Sequence, residues 1–218
     1  MGLFSRTPRP VSAPATEPVT PTDAGVGTGR VSLTKGSRIT LTKAGADRPQ
    51  IQASNGWTAK GKDYDLKALV RYHDGHVVYV GAANADEVLA TPEGAVRHSG
   101  DARGPGELET VTITWHPDVA AVALSSYSAL ENGFGSFRKY GVHVDVVNGD
   151  QVIGLAAQDS SARWNQYTLC FGEVLLNPDE TFTVVNLELY SHKNSEHRIG
   201  YVDGVVTMDA GPRGQRKA

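Results

Sequence analysis

The sequence predicts an all-β protein, a two-sheet antiparallel β-sandwich with few short helices. Three observations carry this reading. Apolar and polar residues alternate with a period of two in four separate segments, as strands with one wet face require. Three Asp-Gly or Asn-Gly dipeptides separate apolar runs, and such dipeptides accept the positive φ of tight hairpin turns. No stretch combines a sustained 3.6-residue period with caps at both ends.

Taken in order, residues 1–29 come first. Five of the eleven prolines lie here (Pro8, Pro10, Pro14, Pro18 and Pro21), followed by Asp23-Ala24-Gly25-Val26-Gly27-Thr28-Gly29. The segment has too little apolar mass to offset its ordering entropy, so it reads as a disordered arm. An N-myristoylation motif fails at Arg6, where Ser or Thr is needed. Residues 30–209 form one sandwich domain. Arg38 to Lys43 alternates, as do Glu109 to Trp115, Val142 to Val146 and, nearly, Phe182 to Tyr190. Hairpins are placed at Asp74-Gly75, Asn148-Gly149 and Asp203-Gly204. Short helices are expected at residues 84–90 and from Ser126 to Leu130. The remainder accommodates about ten to twelve strands. Residues 210–218 carry three basic residues and read as a solvated basic tail.

Length and composition exclude several classes. The 218 residues suffice to bury a core without staples. One cysteine forbids an internal disulfide, which makes a cytoplasmic location the expectation. No apolar run approaches the length of a membrane span. A net charge of -3 implies no broad polyphosphate-binding surface, and so no nucleic-acid partner.

The common catalytic signatures are missing: no G-x-S-x-G, no H-E-x-x-H and no phosphate-binding glycine loop occurs. Cys170 lies in an apolar run and reads as a buried, inert thiol. His73, His76, His192 and His197 flank turns or loops without zinc spacing. Acidic segments say more. Asp63 and Asp65 fall on one side of an extended chain. Asp101, Glu107 and Glu109 lie in a glycine-rich stretch that can fold back on itself. Carboxylates on loops at one end of a sandwich can supply the oxygens a calcium ion takes. Two solvated acidic loops are the alternative.

Several motifs, in order, resemble the TerD family of tellurium-resistance and stress proteins. Val31-Ser32-Leu33-Thr34-Lys35-Gly36, then Ile39 to Lys43, is similar to its opening strands. Trp57 followed by Asp63-Tyr64-Asp65-Leu66 resembles its W … D-[FY]-D-L-D. His98-Ser99-Gly100-Asp101-Ala102-Arg103 resembles H-x-G-D-N-x-T-G, and Gly106-Glu107-Leu108-Glu109 falls where G-D-D-E stands. Asp179 to Val184, His192 and Gly200-Tyr201 are similar to the TerA branch. The likeness spans residues 31–207.

This resemblance implies a TerD-type sandwich binding calcium in acidic loops at one end, with Asp63, Asp65, Asp101, Glu107 and Glu109 as ligands. It implies a non-enzymatic binding or scaffold role in bacterial tellurite resistance and general stress. The implied partners are other TerD-like stress proteins in a multi-protein assembly, with membrane association only indirect. Three departures imply a weakened site. Lys67, Ala102 and Leu108 stand where the family carries oxygen donors. Lys67 is expected to oppose the ion or to pair with Asp65. A metal-assisted hydrolase using the acidic loops, or a purely structural assembly subunit, is the alternative.

Overall fold

The computed structural model describes residues 29–41, 49–102, 108–128, 137–159 and 165–214. Residues 1–28 of the expected arm, residues 215–218 of the tail and Glu107 lie outside them, and Gly29 opens the first strand.

In chain order the strands are β1 (Gly29–Leu33), β2 (Arg38–Leu41), β3 (Gln50–Gly56), β4 (Tyr64–Tyr72), β5 (Val77–Val80), β6 (Val96–His98) and β7 (Thr110–Thr114). Then come β8 (Val119–Ser128), β9 (His143–Asn148), β10 (Gln151–Ala156), β11 (Thr168–Leu176), β12 (Phe182–Tyr190), β13 (Gly200–Val202) and β14 (Val205–Thr207). The first sheet has the order β1-β10-β9-β3-β7-β6 and the second β2-β12-β11-β8-β4-β5; β13 and β14 form a separate hairpin. The two six-stranded layers are the predicted sandwich.

Each predicted hairpin dipeptide joins adjacent antiparallel strands: β4 to β5, β9 to β10, and β13 to β14. At the last, Asp203 and Gly204 have φ of 51° and 76°, the paired positive values of a tight two-residue turn. One pair departs from the antiparallel expectation, because β1 runs parallel to β10. The reason is connectivity. The chain leaves β1 and crosses at once to β2 in the opposite sheet. Asn186 Nδ2 donates to the Leu33 carbonyl at 2.8 Å, and Gly36 N donates to the Asn186 carbonyl at 2.8 Å.

The core lies between the sheets. Ile51, Ala53, Val111, Ile113, Val144 and Val146 meet Leu66, Ala68, Val70, Val122, Leu124 and Val174. Each large side chain there contributes about 1.5–3 kcal/mol by leaving water. The second sheet is also covered on its outer face. Leu69, Ala123, Cys170, Ile199 and Val206 form a second apolar cluster beneath the β13–β14 hairpin. That double burial explains why β4 and β8 read as nearly continuous apolar runs rather than alternating ones.

Two sequence expectations are corrected. Among the described residues no helix forms. Residues 84–90 make turns and a bridge from Val88 to Val80, while Ser126 to Ser128 finish β8; residues 129–130 lie outside the described residues. Tertiary pairing overrides their short-range helical preference. The fold also continues past the expected boundary at 209. Arg198 N donates to Pro212 O at 3.0 Å, Gly211 N to Arg198 O at 2.9 Å and Gly214 N to Glu196 O at 2.8 Å. Arg213 pairs with Glu196 at 2.5 Å. No helix among the described residues is long and apolar enough to cross a membrane.

Candidate metal centre

The site grows from an unfinished sheet edge. β5 pairs with β4 only from Ala68 to Arg71. The backbone edge of β4 at Tyr64 and Leu66 therefore extends past its neighbour, and side chains of the first sheet take the strand's place. Asn55 Nδ2 donates to Tyr64 O. Leu66 N donates to Glu109 Oε2 at 2.5 Å. His98 Nε2 lies 3.0 Å from Leu66 O. Buried backbone groups require partners, and these three residues supply them.

Sequence position dictates who reaches this edge. The pairing of Ser54 with Thr110 carries on to the next residues, where Asn55 N donates to Glu109 O at 3.3 Å. Asn55 and Glu109 are thus cross-strand neighbours on the face that looks into the sandwich. His98 ends β6, the strand beside β7. Its Nδ1 accepts from Gly100 N at 3.0 Å, so Nε2 carries the proton given to Leu66 O. Burial, opposed by that bond to Leu66, holds the imidazole below its ordinary pKa. A neutral His98 therefore clamps the chain just before Asp101.

The result is a cluster of carboxylates. Asp65, Asp101 and Glu109 each offer an oxygen, and the three oxygens lie within 4.8 Å of one another. Asp65 and Glu109 are buried and Asp101 half-buried. Like charges this close repel unless a cation or protons intervene. Of the five ligands that the resemblance implies, the fold gathers these three. Asp63 is not one of the group: β4 begins only at Tyr64, so the extended geometry that would align Asp63 with Asp65 does not reach it. Glu107 lies outside the described residues.

Lys67 does not behave as expected. Its ammonium donates to Glu87 Oε1 at 2.6 Å. Glu87 also accepts from Ala83 N and Asn84 N at 2.9 Å, from Asn84 Nδ2 at 2.6 Å and from Arg198 at 3.3 Å. Burial alone would raise the Glu87 pKa. The charge of Lys67, with the hydrogen bonds from Lys67 and Asn84, outweighs it and brings the group down to about 2. Lys67 is thereby neutralised by Glu87. Asp65, Lys67, Tyr79, Asn84, Tyr127 and Arg198 line a cleft on the outer face of the second sheet, so Asp65 borders both the cluster and open space.

The donor set suits a hard cation. Calcium takes six to eight oxygens, and three carboxylates supply between about three and six. Near this cluster on β3, Asn55 is 1% exposed, its Nδ2 donates to the carbonyl of the residue before Asp65, and its Oδ1 has no hydrogen-bond partner among the described residues. Another buried acid, Glu188, serves the backbone instead, accepting from Gln158 N at 2.5 Å and Asp159 N at 2.6 Å. Cys170 is buried, and burial pushes its thiol up to about 12, in keeping with an inert thiol.

Sequence reasoning missed Asn55, Glu87 and Arg198. Asn55 occupies an inward position of an alternating strand, where a polar residue is out of pattern, and that signal was available. Glu87 and Arg198 lie 111 residues apart and meet only in the fold.

Fold and site together define a two-sheet β-sandwich with a three-carboxylate cluster at the end of one sheet edge. No protein-family model matches the chain, and no curated protein matches it. Among solved structures it is similar to a protein of unknown function, at 15% identity and a TM-score of 0.47, over 69% of this chain and 92% of that one. It is also similar to a homologue of the telluride resistance protein TerD from Streptomyces coelicolor A3(2). That match has 16% identity and a TM-score of 0.44, over 66% of this chain and 92% of the other.

Proposed function

We propose that this protein is a non-enzymatic binding or scaffold module whose Asp65, Asp101 and Glu109 hold a calcium ion. The observation that carries the metal reading is the convergence of these three carboxylates within 4.8 Å. Asp65 comes from one segment and Asp101 and Glu109 from another, two of the three are buried, and carboxylates this close favour a cation between them. When bound, the ion would tie the start of β4 in the second sheet to the segments beside β6 and β7 in the first. It would thus act as a clamp between the layers.

The cellular role rests on the motif resemblance to the TerD family. On that basis the protein acts in bacterial tellurite resistance and general stress, in the cytoplasm, within an assembly of similar proteins. Calorimetric titration of calcium into chelator-treated protein tests the metal reading. The expected result is binding in the micromolar range that is lost in Asp101→Ala. No heat and no thermal shift at millimolar calcium would refute it and leave a scaffold without an ion. Tellurite sensitivity of a strain lacking the gene tests the cellular role.

A further inference from the structure

The three carboxylates leave a calcium ion short of oxygens, and one neutral buried residue near them has an oxygen without a partner among the described residues. Asn55 is 1% exposed, yet its Oδ1 has no hydrogen-bond partner among the described residues. A buried carbonyl oxygen left without a partner is costly and calls for an explanation such as a water or an ion. The amide is oriented by Nδ2, which faces the Tyr64 carbonyl it bonds. That bond brings the amide to the residue before Asp65. Across the strand pair, Glu109 reaches Leu66 N, the residue after Asp65. The Asn55 amide and the Glu109 carboxylate therefore flank Asp65 along one stretch of backbone.

We infer that Asn55 Oδ1 is a fourth protein ligand of the cation held by Asp65, Asp101 and Glu109, an assignment that rests on the calcium reading above. Amide oxygens are ordinary calcium ligands. This one adds a donor without adding charge, so it raises the oxygen count while three negative charges already face two positive ones. It also gives the buried oxygen a partner that the described residues do not provide.

Terbium and calcium titrations test the assignment. Tyr64 adjoins Asp65 and lies 5.5 Å from Trp57 between ring centroids, so excitation of either ring should sensitise bound terbium. Asn55→Ala and Asn55→Asp both lose the Nδ2 donor, but only Asp keeps an oxygen. The expected result is a loss of about tenfold or more in calcium affinity for Asn55→Ala, with Asn55→Asp at or above wild-type affinity despite lower stability of the ion-free protein. Equal weakening in both variants would show a structural role only, and wild-type affinity in Asn55→Ala would overturn the assignment. A second measurement needs no variant. The Asn55 side-chain amide resonances of the wild-type chain should move with added calcium and saturate with the site; unmoved resonances in a calcium-saturated protein would also overturn it. Wild-type protein that binds neither ion defeats the calcium reading itself, an outcome distinct from intact binding without Asn55.

Discussion

Glu87 joins three separate segments. One carboxylate binds Lys67 on β4, the backbone at Ala83 and Asn84, and Arg198 just before β13. Glu87→Ala would leave two buried cations without this partner, at a cost of about 3–5 kcal/mol, read by chemical denaturation. Its pH signature has a definite sign. A carboxyl whose folded pKa is about 2, below the ordinary 4.5, stabilises the fold fully above pH 4.5. That contribution is lost as pH falls toward 2. Glu87→Gln should flatten the stability profile in this window. For His98 the geometry predicts the Nε2–H tautomer, which long-range proton–nitrogen NMR can read. Its lowered pKa means that the folded state binds fewer protons than the unfolded chain. Stability from this group is present above about pH 6.5 and declines as pH falls below it.

At the level of elements, two close approaches decide local geometry. β11 carries a bulge between Cys170 and Gly172, and a methyl group at Gly172 would run into the Val185 carbonyl oxygen of β12. Backbone cannot step aside as a flexible side chain can. Gly172→Ala should therefore cost about 3 kcal/mol, measured by thermal unfolding. β1 presents the milder case. Arg30 reaches over Gly154 of β10 to form two 2.6 Å bonds to Asp145 of β9. A side chain at Gly154 would displace a mobile guanidinium, 2.9 Å from the added carbon. Because this pair is exposed, Gly154→Val should change global stability by no more than about 1 kcal/mol. Faster hydrogen exchange in β1 is the expected local effect. The alternating strands β7 and β9 were legible because one face of each meets the core. The strands β4 and β8 hid their register because both faces are covered, and a continuous apolar run specifies no inward side.

For the whole molecule, the C-terminal segment closes the outer face of the second sheet. Removing residues 210–218 takes away the bonds at Arg198, Gly211 and Gly214 and the Arg213–Glu196 pair. A loss of about 2–4 kcal/mol is expected from denaturant titration. Calcium should act in the opposite sense. An ion that binds only the folded state adds about 2.7 kcal/mol at roughly one hundred times its Kd, so chelator should lower the melting temperature.

The sequence by itself determined the class of fold, the hairpin positions and the presence of acids suited to a hard cation. Those features are local: period-two alternation, turn dipeptides and carboxylates each act within a few residues. It also pointed to Asp65, Asp101 and Glu109 among five candidates. Only the tertiary structure decided that Asp63 stays outside the cluster, that Lys67 belongs to Glu87, and that Asn55 stands beside Asp65. The first depends on where β4 begins, and the other two on where β5 stops pairing with β4 and on which side chains then meet the exposed edge. Such contacts join residues 9 to 111 positions apart. No local pattern encodes them, because the requirement that buried backbone and charge find partners is met only once the two sheets have packed.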